Sequence, residues 1–415
     1  MKIRFLVSRL INAAAISVSV IGLALYFGAE SWAPVVLLQT ISIFLPFLSF
    51  GYNEGFGLRL PFRDKLTRKL VPLLLVNTVL SLIVAIALFS FYLFYKLPLF
   101  YFILPLALFA ILNFSLVRIY LRGIGNIAQL SWLYLVNSTL VFASAYGTYA
   151  LQDPVFFLLF FHLSQVLSSV IVALWIDLPS GAEIKKSLKG VCGFILAMSK
   201  RGFPLMCNFV LFEIFMNADR LHIVLSDNTL ALSLVGVALT ISRGSYMILS
   251  VINTSYYKIM ANLLQERNKN MLKRNLIHQI SLGLIFSLVA LFIFYTVTNS
   301  NFFLERYSSY NGISNHIFWQ GLYIVLFSII VPLSTFCNLY YGGTFYFTNM
   351  LMVSAFSASC AIITANFHLG IWVFYSVSCM GLVIVATRLL SKVRRELTKW
   401  NLSLIHISEP TRRTP

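Results

Sequence analysis

Glu213, Asp219 and Arg220 stand within eight positions of one another in an apolar stretch, and Arg243 stands in the next one. A charge at membrane depth costs about 2.5–3.5 kcal/mol on insertion scales, so such residues face a cavity or a partner. The guanidinium fork of arginine fits phosphate oxygens. Arg220 and Arg243 therefore point to a cationic cavity for a phosphate-bearing substrate. Two plainer roles stand beside this one. Asp219 and Arg220 would form an interfacial ion pair that fixes helix depth, and Arg243 would snorkel to the cytoplasmic face. On a continuous helix Glu213 and Arg220, seven apart, share one face. Pro204 is expected to open that helix at its first turn. Arg220 then lies about 24 Å along it, in its outward third, and Arg243 about 21 Å inward from residue 229.

An earlier apolar run carries Pro46, Gly51, Gly55 and Gly57 around Glu54, with Arg59 behind them. Proline and glycines in an apolar helix allow bending or breaking, which transporters use at binding sites. Glu54 reads either as a cavity or ion-coupling carboxylate or as the partner of a nearby arginine. Arg59 reads either as a site residue or as the first residue of a basic loop.

These residues need helices to hold them. The chain has 415 residues, 59% of them hydrophobic and 11% charged, and its mean hydropathy is +0.85. Soluble domains have about 45–50% apolar and about 25% charged residues, so this composition excludes one. Twelve apolar windows are long enough to cross about 30 Å of hydrocarbon. They lie near 10–28, 33–53, 70–94, 99–117, 127–150, 154–176, 202–225, 229–252, 277–298, 317–336, 341–364 and 369–388. Backbone in lipid must satisfy its own hydrogen bonds, and the alternation of a β-barrel is absent. The expected fold is all-α: a polytopic membrane protein of twelve helices.

The net charge of +18 tests the orientation. With the N-terminus inside and the sides alternating, twenty-five Lys and Arg fall in the N-terminal segment, the even-numbered loops and the exit of span 12. The other side receives Lys96 and Arg306 alone. This asymmetry places both termini in the cytoplasm. The excess charge is thus topology rather than a nucleic-acid footprint, and the basic loops meet anionic lipid headgroups. Lys2, Arg4 and Arg9 before an apolar run read as a signal-anchor, not a cleaved signal.

Span count divides the chain into two six-helix halves, 1–176 and 202–402, expected to be pseudo-symmetric. Between them, 177–201 interleaves Lys185, Lys186 and Lys189 with Ile184, Leu188 and Val191, the pattern of a helix lying in the cytoplasmic interface. Ser403–Pro415 fits no span and resembles a vector-derived read-through.

Much chemistry is missing from the sequence. There is no GxxxxGK[ST] phosphate loop. The five cysteines are scattered without metal spacing and read as packing residues. His162, inside span 6, is expected to make a helix-packing hydrogen bond. The longest outward loop, about Asn299–His316, is too short for a catalytic domain. The expectation is a protein that is not an enzyme and holds no cofactor.

Several segments carry a resemblance. Phe27-Gly28-Ala29-Glu30-Ser31-Trp32 resembles an LGxExxG turn between spans 1 and 2, without its final glycine. Gly51–Arg59 resembles a G-L…R ending of span 2, and Arg122-Gly123-Ile124-Gly125-Asn126 a short basic turn between spans 4 and 5. Gly202-Phe203-Pro204 followed by Asp219-Arg220 is similar to a G-x-P…D-R pattern in span 7. In order and spacing these resemble the Wzx-type O-antigen flippases of the multidrug/oligosaccharidyl-lipid/polysaccharide (MOP) exporter superfamily. The resemblance implies translocation of undecaprenyl-diphosphate-linked oligosaccharide across a bacterial inner membrane by alternating access. It implies that Arg220, Arg243, Arg59 and Arg122 grip the diphosphate. H⁺ or Na⁺ would be the coupling ion, with Glu54, Glu213 and Asp219 as candidate coupling sites. Implied partners are membrane lipids, a polysaccharide polymerase and a chain-length regulator, and no nucleic acid.

Other classes fit less of the chain. A membrane polysaccharide polymerase or glycosyltransferase needs a larger outward loop. A major-facilitator-type transporter shares only a faint likeness at Arg63-Asp64-Lys65. A drug exporter of the same superfamily remains an alternative.

Overall fold

The computed structural model describes residues 2–60, 64–96, 99–175, 190–226, 229–341 and 344–399. The expectations for 177–189 and 403–415 lie outside the described residues. Among those described, the chain is helical throughout, and twelve helices are long and apolar enough to cross a membrane. The protein is therefore a multi-pass membrane protein. Rows of exposed apolar side chains support this. Val79, Leu82, Ile83, Ile86 and Leu93 cover one helix, and Ile285, Phe286, Val289 and Phe292 another. Such patches belong in lipid.

The first six spans are built from α1 (Lys2–Phe27), α2 (Ala29–Phe44), α3 (Tyr52–Arg59), α4 (Leu70–Tyr95), α5 (Ile103–Gly123), α6 (Ile127–Leu151) and α7 (Phe156–Ala173). The rest form α8 (Val191–Met216), α9 (Ala218–Leu225), α10 (Thr229–Gln265), α11 (Lys269–Thr298), α12 (Asn301–Arg306), α13 (Ile313–Tyr341), α14 (Thr344–Asn366) and α15 (Ile371–Lys399). Helix ends follow local chemistry. The Asn126, Asn268 and Ser300 side chains accept from the first-turn N–H groups of α6, α11 and α12. Lys96 and Gln152 end α4 and α6 in the left-handed conformation.

Helices α1 to α7 pack on one another, with α6 against α1 and α7, and α5 against α4 and α7. Helices α8 to α15 do likewise around α13, which packs on α10, α11 and α15. The two sets meet along α1 and α2 against α10, and along α3 against α8.

Two spans break, and both breaks place site residues. Span 2 runs as α2, a 3₁₀ turn Leu45–Ser49 that contains Pro46, left-handed Phe50 and Gly51, and then α3. The bend expected from its proline and glycines is present. Span 7 departs from the sequence reading. Its helix α8 begins at Val191, so residues 191–201 are its first turns rather than part of an interfacial linker. Lys200 and Arg201 lie on that helix and are exposed, their long stems carrying the charge outward. Pro204 is inside the helix, not at its start. Asn217 then interrupts it (φ −115°), and α9 restarts at Ala218.

Candidate functional site

A cavity of about 260 Å³ lies where α1, α2, α5 and α7 face α9 and α10. The first set of helices lines it with Ser17, Gln39, Ser42, His162 and Gln165, the second with Arg220, Thr240 and Arg243. Apolar side chains such as Ile16, Ile43 and Phe161 complete the wall, which holds no carboxylate. Arg220 and Arg243 thus meet at one cavity, although the sequence reading set them at different depths. The break at Asn217 and the reach of two long side chains close that gap.

Helices α1 and α10 order the contacts along the bundle axis. On α1 the sequence runs from Arg9 through Ala13 and Ser17 to Ala24; on α10 from Gly236 through Arg243 to Ser250. Towards the end bearing the chain termini, Arg9 Nη2 donates to Ser250 Oγ at 3.1 Å. Deeper on that side, Gly51 and Gly55 of span 2 lie against Gly202 and Met198 of α8. Towards the opposite end, Gly236 packs on Val36, beside the fully buried Trp32 and Val235. There the buried Tyr310, from the outward segment, donates to Ala24 O at 2.7 Å. Contacts between the two helix sets thus lie toward both ends of the bundle.

Electrostatics distinguish the two arginines. Arg243 Nη2 is 2.5 Å from Glu213 Oε2, and about a third of the Arg243 side chain remains exposed. The Asn217 amide braces the pair, donating to Glu213 O at 2.7 Å and to Oε2 at 3.3 Å. Glu213 is therefore held by Arg243, not aligned with Arg220. Arg220 is buried, and its Nη1 donates across the bundle to Thr40 Oγ1 at 2.5 Å. Asp219 does not pair with the Arg220 side chain. Its Oδ1 accepts from the Arg220 backbone N–H at 2.8 Å; its Oδ2 accepts from Gln320 Nε2 at 2.7 Å and Tyr375 OH at 3.1 Å.

The remaining sequence candidates lie elsewhere. Glu54 sits in the first turn of α3, with one carboxylate oxygen buried and without a partner. Arg59 ends α3, and Arg122 is exposed in the last turn of α5. None of these three lines the cavity. His162 bonds Gln165 of its own helix at 3.3 Å instead of joining two helices. Sequence reasoning missed Gln39, Gln165 and Gln320. Their signal was an uncharged amide within an apolar run, which is weaker than a charge but obeys the same rule.

The Glu213–Arg243 pair yields a direct expectation. Glu213→Gln leaves Arg243 without its anion, so an anionic substrate no longer displaces a carboxylate. Binding of inorganic pyrophosphate to the purified variant, read by calorimetry, should tighten several-fold. Unchanged or weaker binding would mean that Arg243 is not freed by the substitution.

Comparison with protein families finds no match, and comparison with curated proteins finds none either. Solved structures do match, over nearly the whole chain. An inward-facing conformation of a multidrug resistance MATE family transporter of the MOP superfamily aligns with a TM-score of 0.74 at 15% identity, covering 96% of each chain. An outward-facing conformation of such a transporter aligns at 0.66 and 15%, covering 97% and 96%. A MOP superfamily transporter from Pyrococcus furiosus Vc1, described as having a reversed polarity of its binding pocket, aligns at 0.66 and 16%, covering 96% of each. The fold is that of the MATE transporters of the MOP superfamily. The neighbours are membrane transporters, not enzymes, and their fold is compatible with transport by alternating access.

Proposed function

We propose that the chain is a flippase for a lipid-linked oligosaccharide carried on a polyprenyl diphosphate, acting in a bacterial inner membrane. One observation carries this reading: a cavity at mid-bundle lined by Arg220 and Arg243 and by no carboxylate. Two guanidinium groups in a largely apolar wall favour a diphosphate and repel an organic cation. The cavity as it stands, about 260 Å³, accommodates a diphosphate but not a glycan. The sugar would enter when the bundle parts at one end, while the prenyl chain stays in lipid. Uncharged donors and acceptors on the other wall, Gln39, Ser42 and Gln165, suit sugar hydroxyls.

Complementation tests the proposal. Expressed in a strain whose own O-antigen flippase is deleted but whose glycan assembly is intact, the chain should restore surface polysaccharide. Restored resistance to cationic drugs with no surface glycan would replace the flippase reading with a drug exporter.

A further inference from the structure

A groove of about 740 Å³ runs down the outside of the bundle between α1 and α6, at the end bearing the chain termini. It shares no residue with the central cavity. Both helices start at that end and lie side by side. The bond from Asn137 Nδ2 to Asn12 Oδ1, at 2.8 Å, sets their register. With equal rise on the two helices, Arg4 is level with Gln129 and Val7 with Trp132.

The hollow has a physical cause. Its floor is made by Ser8 and Ser131, which are small and buried. Each hydroxyl donates within its own helix, Ser8 Oγ to Phe5 O at 2.9 Å and Ser131 Oγ to Ile127 O at 2.8 Å, so the floor presents no free donor. Val7 and Ile11 on one side and Trp132 and Leu135 on the other form the walls. Val7, Ile11 and Trp132 keep about half their surface exposed. Arg4 stands at the mouth, exposed, and among the described residues it has no hydrogen-bond or ion-pair partner. Trp132 meets Trp175 edge to face at 6.2 Å, and Gln129 Nε2 holds Trp175 by donating to its carbonyl oxygen at 2.6 Å. Indole rings of this kind settle at the headgroup level of a bilayer.

Along the groove the order is a free cation, an indole one turn deeper, and then apolar wall down to Ile11, about 10 Å from Arg4. A glycerophospholipid has the matching order of phosphate, ester region and acyl chain. We propose that this groove binds an anionic glycerophospholipid, its phosphate on Arg4 and one acyl chain between Val7 and Leu135. Charge selects the headgroup. No carboxylate lines the groove, and neither helix has an acidic residue in its first turn. The positive ends of both helix dipoles lie at the mouth and add to the charge of Arg4. A zwitterionic headgroup would bring its own cation into that field, whereas an anionic one does not. The guanidinium fork suits the phosphate oxygens. A lipid seated there ties α1 to α6 within the first set of helices, while Arg9, elsewhere on α1, bonds across to Ser250 of the second.

Lipid binding here is independent of any transported substrate, and its test uses none. The full chain is reconstituted in phosphatidylcholine nanodiscs in which a small share of the lipid carries brominated acyl chains, borne on either phosphatidylglycerol or phosphatidylcholine. Bromine quenches the tryptophan it touches, and subtracting the Trp132→Phe signal from that of the wild type isolates Trp132. Half-quenching should need about tenfold less of the brominated phosphatidylglycerol than of the brominated phosphatidylcholine. Arg4→Gln should remove that preference and Arg4→Lys should keep it; Arg4 is exposed, so both variants fold. Equal quenching by the two lipids in the wild type would mark ordinary bulk lipid and overturn the site. So would a preference that survives Arg4→Gln. Absence of quenching by either lipid would overturn it as well, because the groove would then be covered by another part of the chain or by a second copy.

Discussion

Arg243→Ala should abolish complementation of a flippase-deleted strain while the protein still accumulates in the membrane. Arg243 is the cavity's exposed cation, with about a third of its side chain open and its guanidinium already engaged by a carboxylate. A hydrogen bond to a charged group contributes about 1.5–3 kcal/mol, so losing the contact weakens diphosphate binding about 10- to 150-fold. A second effect reinforces the first. With Arg243 gone, Glu213 keeps only the Asn217 amide and leaves an uncompensated negative charge near the cavity. That charge repels the same substrate. The double variant Arg243→Ala with Glu213→Ala should therefore recover part of the pyrophosphate affinity, measured by calorimetry, without restoring export. If Arg243→Ala keeps normal surface glycan, the cationic cavity is not where the substrate sits.

The two arginines should respond differently to lysine. Arg243 meets its partner from the cavity side, and a lysine keeps the positive charge there, so Arg243→Lys should retain partial activity. Arg220 is buried and bridges to Thr40 on the facing bundle. A point charge on a flexible stem does not reproduce that fork, so Arg220→Lys should behave more like a deletion.

Much of this arrangement is legible in the sequence, for a physical reason. Lipid leaves the backbone one economical solution, so apolar runs become helices and their number follows from length. Charges inside those runs are costly enough to stand out, and Arg220 and Arg243 do line the cavity. Other features depend on information that spacing along one helix does not contain. Lys200 and Arg201 read as the end of a linker because a charge pair usually stops a span. Here the helix simply continues past them with both side chains exposed. Glu213 and Arg220 share a face only on an unbroken helix, and Asn217 breaks it. The Glu213–Arg243 pair joins residues thirty apart on two helices, and the Asp219–Tyr375 bond joins residues 156 apart. Those partners are chosen by packing.

The glycines of span 2 were legible as a bend, but their second role comes from packing with α8. Gly51 lies so near Gly202 that a Cβ on Gly51 would stand 2.6 Å from the Gly202 backbone, and one on Gly202 would fall on the Gly51 carbonyl oxygen. Gly51 also holds φ +78°, which an L side chain resists. Small residues that let helices touch are the usual means of joining spans in lipid. This contact joins α3 to α8 toward the terminus-bearing end of the two helix sets, so Gly202→Val should hold that end open. Overpacking costs about 1–3 kcal/mol, a shift of about 5- to 150-fold toward the parted state. Accessibility reads the shift. With the five native cysteines replaced and Gln39→Cys placed in the cavity wall, a membrane-impermeant maleimide in inside-out vesicles should label Gly202→Val much faster than its parent. Export should fall with it, because a bundle that cannot close behind its substrate cannot release it on the far side. Equal labelling rates would show that the glycine contact is not the gate. A larger effect from Gly236→Leu, at the other end, would place the gate there instead.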